Sequence, residues 1–137
     1  MINSLLYVSQ TNLRLREEAG AIDEILSVAR SRNAALDVTG TLVFTQARFA
    51  QILEGGNAAI TELMESIKSD PRHREVNVVL VEELSHRRFA GWAMAYQGPS
   101  IFVDRHVKPL LQQNIAPSEK AVKGQRLIAL MVELASR

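Results

Sequence analysis

Cysteine is absent from the 137 residues of the chain. That removes disulfides, thiolate nucleophiles and Cys-based metal sites, and it is compatible with a reducing compartment. Net charge is almost absent as well: 16 Lys+Arg stand against 15 Asp+Glu, a formal +1, so no long-range field draws the protein to nucleic acid or to an anionic membrane. No apolar run reaches the roughly 18 residues of a membrane span, and the first residues lack a basic stretch followed by a long apolar one. The 3 histidines, His73, His86 and His106, have no ligand spacing, and HExxH, GxSxG and the dinucleotide-binding glycine fingerprint are all missing. These absences lead us to expect a cytoplasmic protein with neither a nucleic-acid nor a membrane partner, and without metal or turnover chemistry.

What is present is ordinary globular material, 47% hydrophobic and 23% charged, enough for one domain with a real core. Ile2 to Val8 reads as a strand, with Leu5 and Tyr7 on one face and Leu6 and Val8 on the other. From Glu17 to Asn33 the positions Ile22, Ile25, Leu26 and Ala29 repeat at three and four, the stripe of an amphipathic helix. Val38 to Thr45 and Arg48 to Glu54 form a hairpin around Gln46 and Ala47, although that turn lacks the favoured Asn-Gly chemistry. Gly55-Gly56-Asn57 opens a second helix, striped by Ile60, Leu63, Met64 and Ile67, which ends near Asp70-Pro71. Val76 to Val81 is dense in β-formers and reads as a buried strand. Trp92 to Tyr96 reads as a fifth strand, with Trp92, Met94 and Tyr96 sharing a face.

The order β-α-β-β-α-β-β is that of an α+β, ferredoxin-like sheet with both helices on one face. After Gly98-Pro99 two helical stretches follow, Asp104–Gln113 and Ser118–Ser136, separated by Pro117, with Ser118 as the expected cap. We therefore expect a domain over residues 1–98 and a helical extension over 99–137. The stripe of Leu127, Met131 and Leu134 either covers the open face of the sheet or joins subunits.

Three polar residues sit where periodicity assigns core. Asn33 extends the apolar stripe of the first helix, Gln51 lies between Phe49 and Leu53 on an inward strand face, and Tyr7 shares its face with Leu5. A buried amide without partners costs roughly 1–3 kcal/mol, so two amides and a phenol on inward faces point to a common polar object.

The segments LLYVSQ, ILSVARSRNAALDVTGTLVF, FAQILEG, SDPRHREV and RRFAGWAM resemble, in order and spacing, the motifs of the BLUF family, blue-light sensors that bind FAD. The resemblance spans about residues 2–98, and the tail resembles the C-terminal helices of short, single-domain members. It implies noncovalent FAD, with FMN or riboflavin able to substitute, held between the two helices. It implies that Tyr7 gives an electron and a proton to the excited flavin. It implies that Gln51 bridges Tyr7 and the ring and that Asn33 binds the ring's pyrimidine edge. Trp92 and Met94 match a WxM element in which one or the other lies beside Gln51 and reports the change outward. Ile25 and Phe49 match apolar walls, and Arg30, Arg72 and His73 match positions toward the ribityl and phosphate end. Arg32, where many members have Asn, and Asp37, where a small or neutral residue is common, are departures that bear on flavin binding. The implied output is an unidentified downstream signalling protein or a change of assembly, with a homo-oligomer expected.

Two other classes compete. A non-photosensory module on the same fold would bind a small molecule or a protein; an RNA-reading version needs exposed aromatics on its central strands, and aromatics are only 5%. A phosphate-handling hydrolase needs a Gly-rich cradle after the first strand, and SQTNLRLRE has no glycine.

Overall fold

The computed structural model describes residues 1–11, 19–71, 73–97 and 101–135. Its strands are β1 (Ile2–Thr11), β2 (Thr39–Phe44), β3 (Arg48–Gly55), β4 (His73–Leu84) and β5 (Ala95–Gln97). Its helices are α1 (Ala19–Ala35), α2 (Asn57–Ser69), the single turn α3 (Asp104–Val107) and α4 (Pro117–Ala135), and 3-10 turns at Ile101–Val103 and Lys108–Leu111 flank α3. The sheet runs β4-β1-β3-β2-β5. Every neighbouring pair is antiparallel except β2 and β5, which are parallel. This is the expected ferredoxin-like order, with α1 crossing from β1 to β2 and α2 from β3 to β4.

The central strands are covered on both sides, which is why β1 reads as a continuous apolar run. On one face Leu5, Tyr7, Phe49 and Leu53 pack with Ile22, Ile25 and Leu26 of α1 and with Ile60, Leu63 and Met64 of α2. On the other, Leu6, Val8, Ala50 and Ile52 pack with Leu127, Ile128 and Met131 of α4 and with Val103, Val107 and Leu110. The C-terminal stripe thus covers the open face of the sheet. Among the described residues no helix is long and apolar enough to cross a membrane.

Local chemistry explains the joints. α1 stops in a left-handed cap: Asp37 has φ 55°, its N–H donates to Ala34 O and that of Val38 to Asn33 O, the paired bonds of a Schellman motif. Asp is one of the few side chains tolerated in that conformation, so the Asp37 departure is a helix stop. The β2–β3 turn closes without Asn-Gly because Gln46 takes φ 77° and Thr45 Oγ1 accepts from Arg48 N at 3.0 Å. That turn is also the seam to the tail, since Asp104 accepts from Thr45 Oγ1 at 2.7 Å and pairs with Arg48 Nη1 at 2.6 Å.

Three expectations need correction. The strand read over Val76 to Val81 is the edge strand β4, and Val81 is 65% exposed; β-rich composition marks a strand but says nothing of its place in the sheet. The fifth strand is shorter than Trp92 to Tyr96, so Trp92 and Met94 precede it and share no strand face. Side-chain anchors, described below, hold the segment between β4 and β5 in place of a ladder. Pro117 does not separate the tail's two stretches but heads α4, where a missing N–H costs nothing. Ser118 is therefore inside the first turn, and the stretch from Asp104 is broken into short turns, with Pro109 removing a donor.

Candidate functional site

A cleft lies between α1 and α2, floored by the sheet. Its apolar walls are Ile25, Val28 and Ala29 of α1, Leu63 and Ile67 of α2, and Leu42 and Leu53 of the sheet. The polar lining is Tyr7, Gln51, Asn33, Arg32, Ser66, Asp70 and His73.

Strand register makes the inner end. Tyr7 and Gln51 are direct partners across the β1–β3 ladder, so antiparallel alternation sends both side chains to the helical face. Tyr7 is fully buried, and its hydroxyl donates to Gln51 Oε1. Burial, helped by the Asp70 carboxylate, pushes the Tyr7 phenol well above its ordinary value, so at neutral pH it carries its proton. On the other side, Gln51 Nε2 meets Met94 Sδ at 3.5 Å. A thioether is a weak acceptor, which leaves this amide N–H₂ able to turn to a better one.

The end of α1 brings the second amide. Buried Asn33 donates through Nδ2 to Ala93 O at 2.8 Å. An amide has two N–H donors and an acceptor carbonyl, so that bond leaves capacity for the edge of a ligand. Arg30 is exposed, and its Nε donates to Met94 O at 3.1 Å. Its guanidinium thus ties α1 to the segment before β5. His73 Nδ1 is 2.9 Å from Ser9 Oγ. The His73 ring lies 4.6 Å from that of Phe49 and edge-on to Tyr7 at 6.1 Å, between centroids. Phe49 is behind the wall, packed on Phe44 and His73. Arg72 lies outside the described residues. Trp92 is 50% exposed, and its carbonyl accepts from Gly40 N at 3.1 Å; the residue against Gln51 is Met94.

Apolar walls with amides and a phenol at the inner end suit a flat ring with a polar edge, the shape of a flavin. Arg32, read above only as a departure, lines the cleft and donates to Ser66 Oγ, linking α1 to α2. Sequence reasoning missed Asp70 and also Glu54, which is fully buried. Glu54 was open to the test that flagged Gln51, since alternation puts it with Ala50 and Ile52 on an inward face.

The alkaline limit of stability follows from Tyr7. In the unfolded chain a tyrosine ionises near pH 10, whereas the folded site resists ionisation. Above about pH 10 the unfolded state therefore holds fewer protons, and stability, complete below that pH, falls as pH rises by up to about 1.4 kcal/mol per unit. Urea unfolding at about pH 8 and about pH 11 should show this loss in the native protein and a smaller one in Tyr7→Phe.

Comparison with known proteins gives the same direction. Residues 2–95 match the family model described as BLUF, sensors of blue-light using FAD. The blue light- and temperature-regulated antirepressor BluF of Escherichia coli (strain K12) is 35% identical over 89 residues, 65% of this chain and 22% of that protein. Photoactivated adenylate cyclase subunit beta of Euglena longa is 36% identical over 95 residues, 68% of this chain and 11% of that protein. The chain thus spans less than a quarter of the length of either relative. Among solved structures, the dark state of BlrB, a BLUF protein, has a TM-score of 0.72 at 29% identity, covering 94% of this chain and 96% of that one.

Proposed function

The chain belongs to the BLUF family, sensors of blue light using FAD, and from that premise we propose that Tyr7, Gln51 and Met94 are its light-responsive relay. The observation that carries this reading is the buried line from Tyr7 OH to Gln51 Oε1 and from Gln51 Nε2 to Met94 Sδ, in which Tyr7 and Gln51 line the inner end of the cleft. Bound there, FAD supplies the blue absorption and an excited ring able to accept an electron and a proton.

The protein's own residues do the rest. Oxidising a phenol makes its proton strongly acidic, and the Gln51 carbonyl already accepts that proton's hydrogen bond. Once the Tyr7 hydroxyl no longer donates, the Gln51 amide is free to rotate, which exchanges its donor and acceptor ends without breaking a covalent bond, or to tautomerise, which moves one proton from Nε2 to Oε1. Its contact with the Met94 thioether then changes, and Met94 stands immediately before β5. Asn33 holds the pyrimidine edge and Ile25 one face. His73, with Arg72 beside it in sequence, is assigned to the ribityl and phosphate end, where an Arg fork can bind phosphate. Arg30 holds the Met94 carbonyl, and Trp92 stays outside the relay.

We assign residues 1–98 to the flavin-binding unit and 99–137 to an extension that receives the change through the sheet's other face. The unit is read as a sensor without turnover of its own, placed in the cytoplasm. It acts on a partner effector or through a change of homo-oligomeric assembly. The names of the relatives, an antirepressor and a photoactivated adenylate cyclase, support a regulatory target. FAD is preferred over FMN on the family description.

The test is the visible spectrum of the purified protein. A yellow sample whose flavin bands move slightly to the red under blue light and return in darkness is the expected result. A colourless sample that takes up no added FAD overturns the reading.

A further inference from the structure

Glu54 is a carboxylate with no exposed surface, on the face of β3 opposite the cleft. Leaving it there without partners would be costly, and its partners are specific. Oε2 accepts from Arg88 N–H at 2.7 Å, and Oε1 accepts from Phe89 N–H and from Thr39 Oγ1, both at 3.0 Å. The clamp has a second layer: Arg87 donates to Thr39 Oγ1 at 2.9 Å, to the Glu54 carbonyl at 3.0 Å and to the Asp37 carbonyl at 2.8 Å. The segment from residue 85 to 94 is thus held at its start by Glu54. It is held at its end by α1, where Asn33 and Arg30 bond the Ala93 and Met94 carbonyls. That segment delivers Met94 to Gln51.

We propose that Glu54 is a positioning residue of the light switch, fixing from the far side of the sheet where Met94 rests. The proposal builds on the sensor reading above but concerns a side chain that touches neither the cleft nor the relay. Each carboxylate oxygen meets a backbone N–H, so the site needs acceptors at both ends. Glu54→Gln keeps the shape but turns one end into a donor facing a donor. The segment then loosens at Arg88 and Phe89, and Met94 loses its fixed seat.

The test is Glu54→Gln in the flavin-loaded full chain, read in two ways. Dark recovery after blue light should slow by about tenfold, the worth of one net hydrogen bond, because recovery requires Met94 to return to its seat. The emission of Trp92, the single tryptophan of the chain and a member of this segment, should shift in the dark. Thr39→Val, which removes one of the bonds to Glu54, should change both readouts in the same direction by less. If Glu54→Gln does not fold, Thr39→Val decides. Wild-type recovery and wild-type Trp92 emission, together with faster amide exchange at Arg88 and Phe89, would make Glu54 merely structural and overturn the proposal. If the native protein takes up no flavin, the sensor reading fails by itself, and Trp92 emission in the flavin-free variants still judges whether Glu54 seats the segment.

Discussion

Tyr7→Phe should retain flavin and lose the light-induced red shift completely. The ring stays, so the fully buried site remains filled; only the hydroxyl that donates to Gln51 Oε1 is lost. Without it no proton can follow an electron out of this position, and the Gln51 amide receives no reason to turn. The variant should also be less stable, because the Gln51 carbonyl is left buried without its donor, at a cost of about 1–3 kcal/mol. Trp92 does not replace the phenol, since it is half exposed and is tied into the fold through its backbone, the carbonyl accepting from Gly40 N–H and the N–H donating to Phe89 O. Absorption difference spectra and urea unfolding check the two parts separately. A normal red shift in Tyr7→Phe would remove the phenol from the relay.

The largest effect on stability is expected at Gly40, far from any obvious chemistry. A Cβ there would stand 1.9 Å from the Ile52 carbonyl oxygen and 3.0 Å from its carbon, both backbone atoms that cannot turn aside. To admit Ala, β2 and β3 must separate, and β3 carries Gln51 and Glu54 while the Gly40 N–H holds the Trp92 carbonyl. The cost should be about 3 kcal/mol or more, a large part of the 5–15 kcal/mol typical of a whole domain. Gly20→Ala is the control: the added methyl would meet nothing within 4 Å, and a helical Gly-to-Ala change there should be neutral or stabilising by up to about 1 kcal/mol. Chemical unfolding of both variants, with flavin retention followed in parallel, separates a general glycine effect from this close approach.

Much of this was legible because the strands obey a period of two. Alternation placed Leu5 and Tyr7 opposite Leu6 and Val8 before any pairing was known, and it exposed Gln51 as a polar side chain on an inward face. Asn33 was legible for the matching reason on a helix. Glu54 obeys the same rule and was passed over, although a charge among Ala50 and Ile52 is a stronger anomaly than an amide. Other features were not local. Whether Val76 to Val81 is central or at an edge depends on which strand pairs with which, and the answer, β1 alone, lies about seventy residues away in sequence, roughly half the chain. The seat of Met94 was hidden for a different reason: residues 85 to 94 have no periodicity, and their course is dictated by Glu54 on β3 and by Asn33 and Arg30 on α1, two separate places in the chain. The choice between Trp92 and Met94 could therefore be made only in three dimensions.

The Gln51 amide itself is the most direct point of test. Light-minus-dark infrared difference spectra of flavin-loaded protein, with glutamine side chains labelled with ¹³C, should show a shifted amide carbonyl band that disappears in Gln51→Leu together with the red shift. A normal red shift with no glutamine band in the difference spectrum would contradict the account.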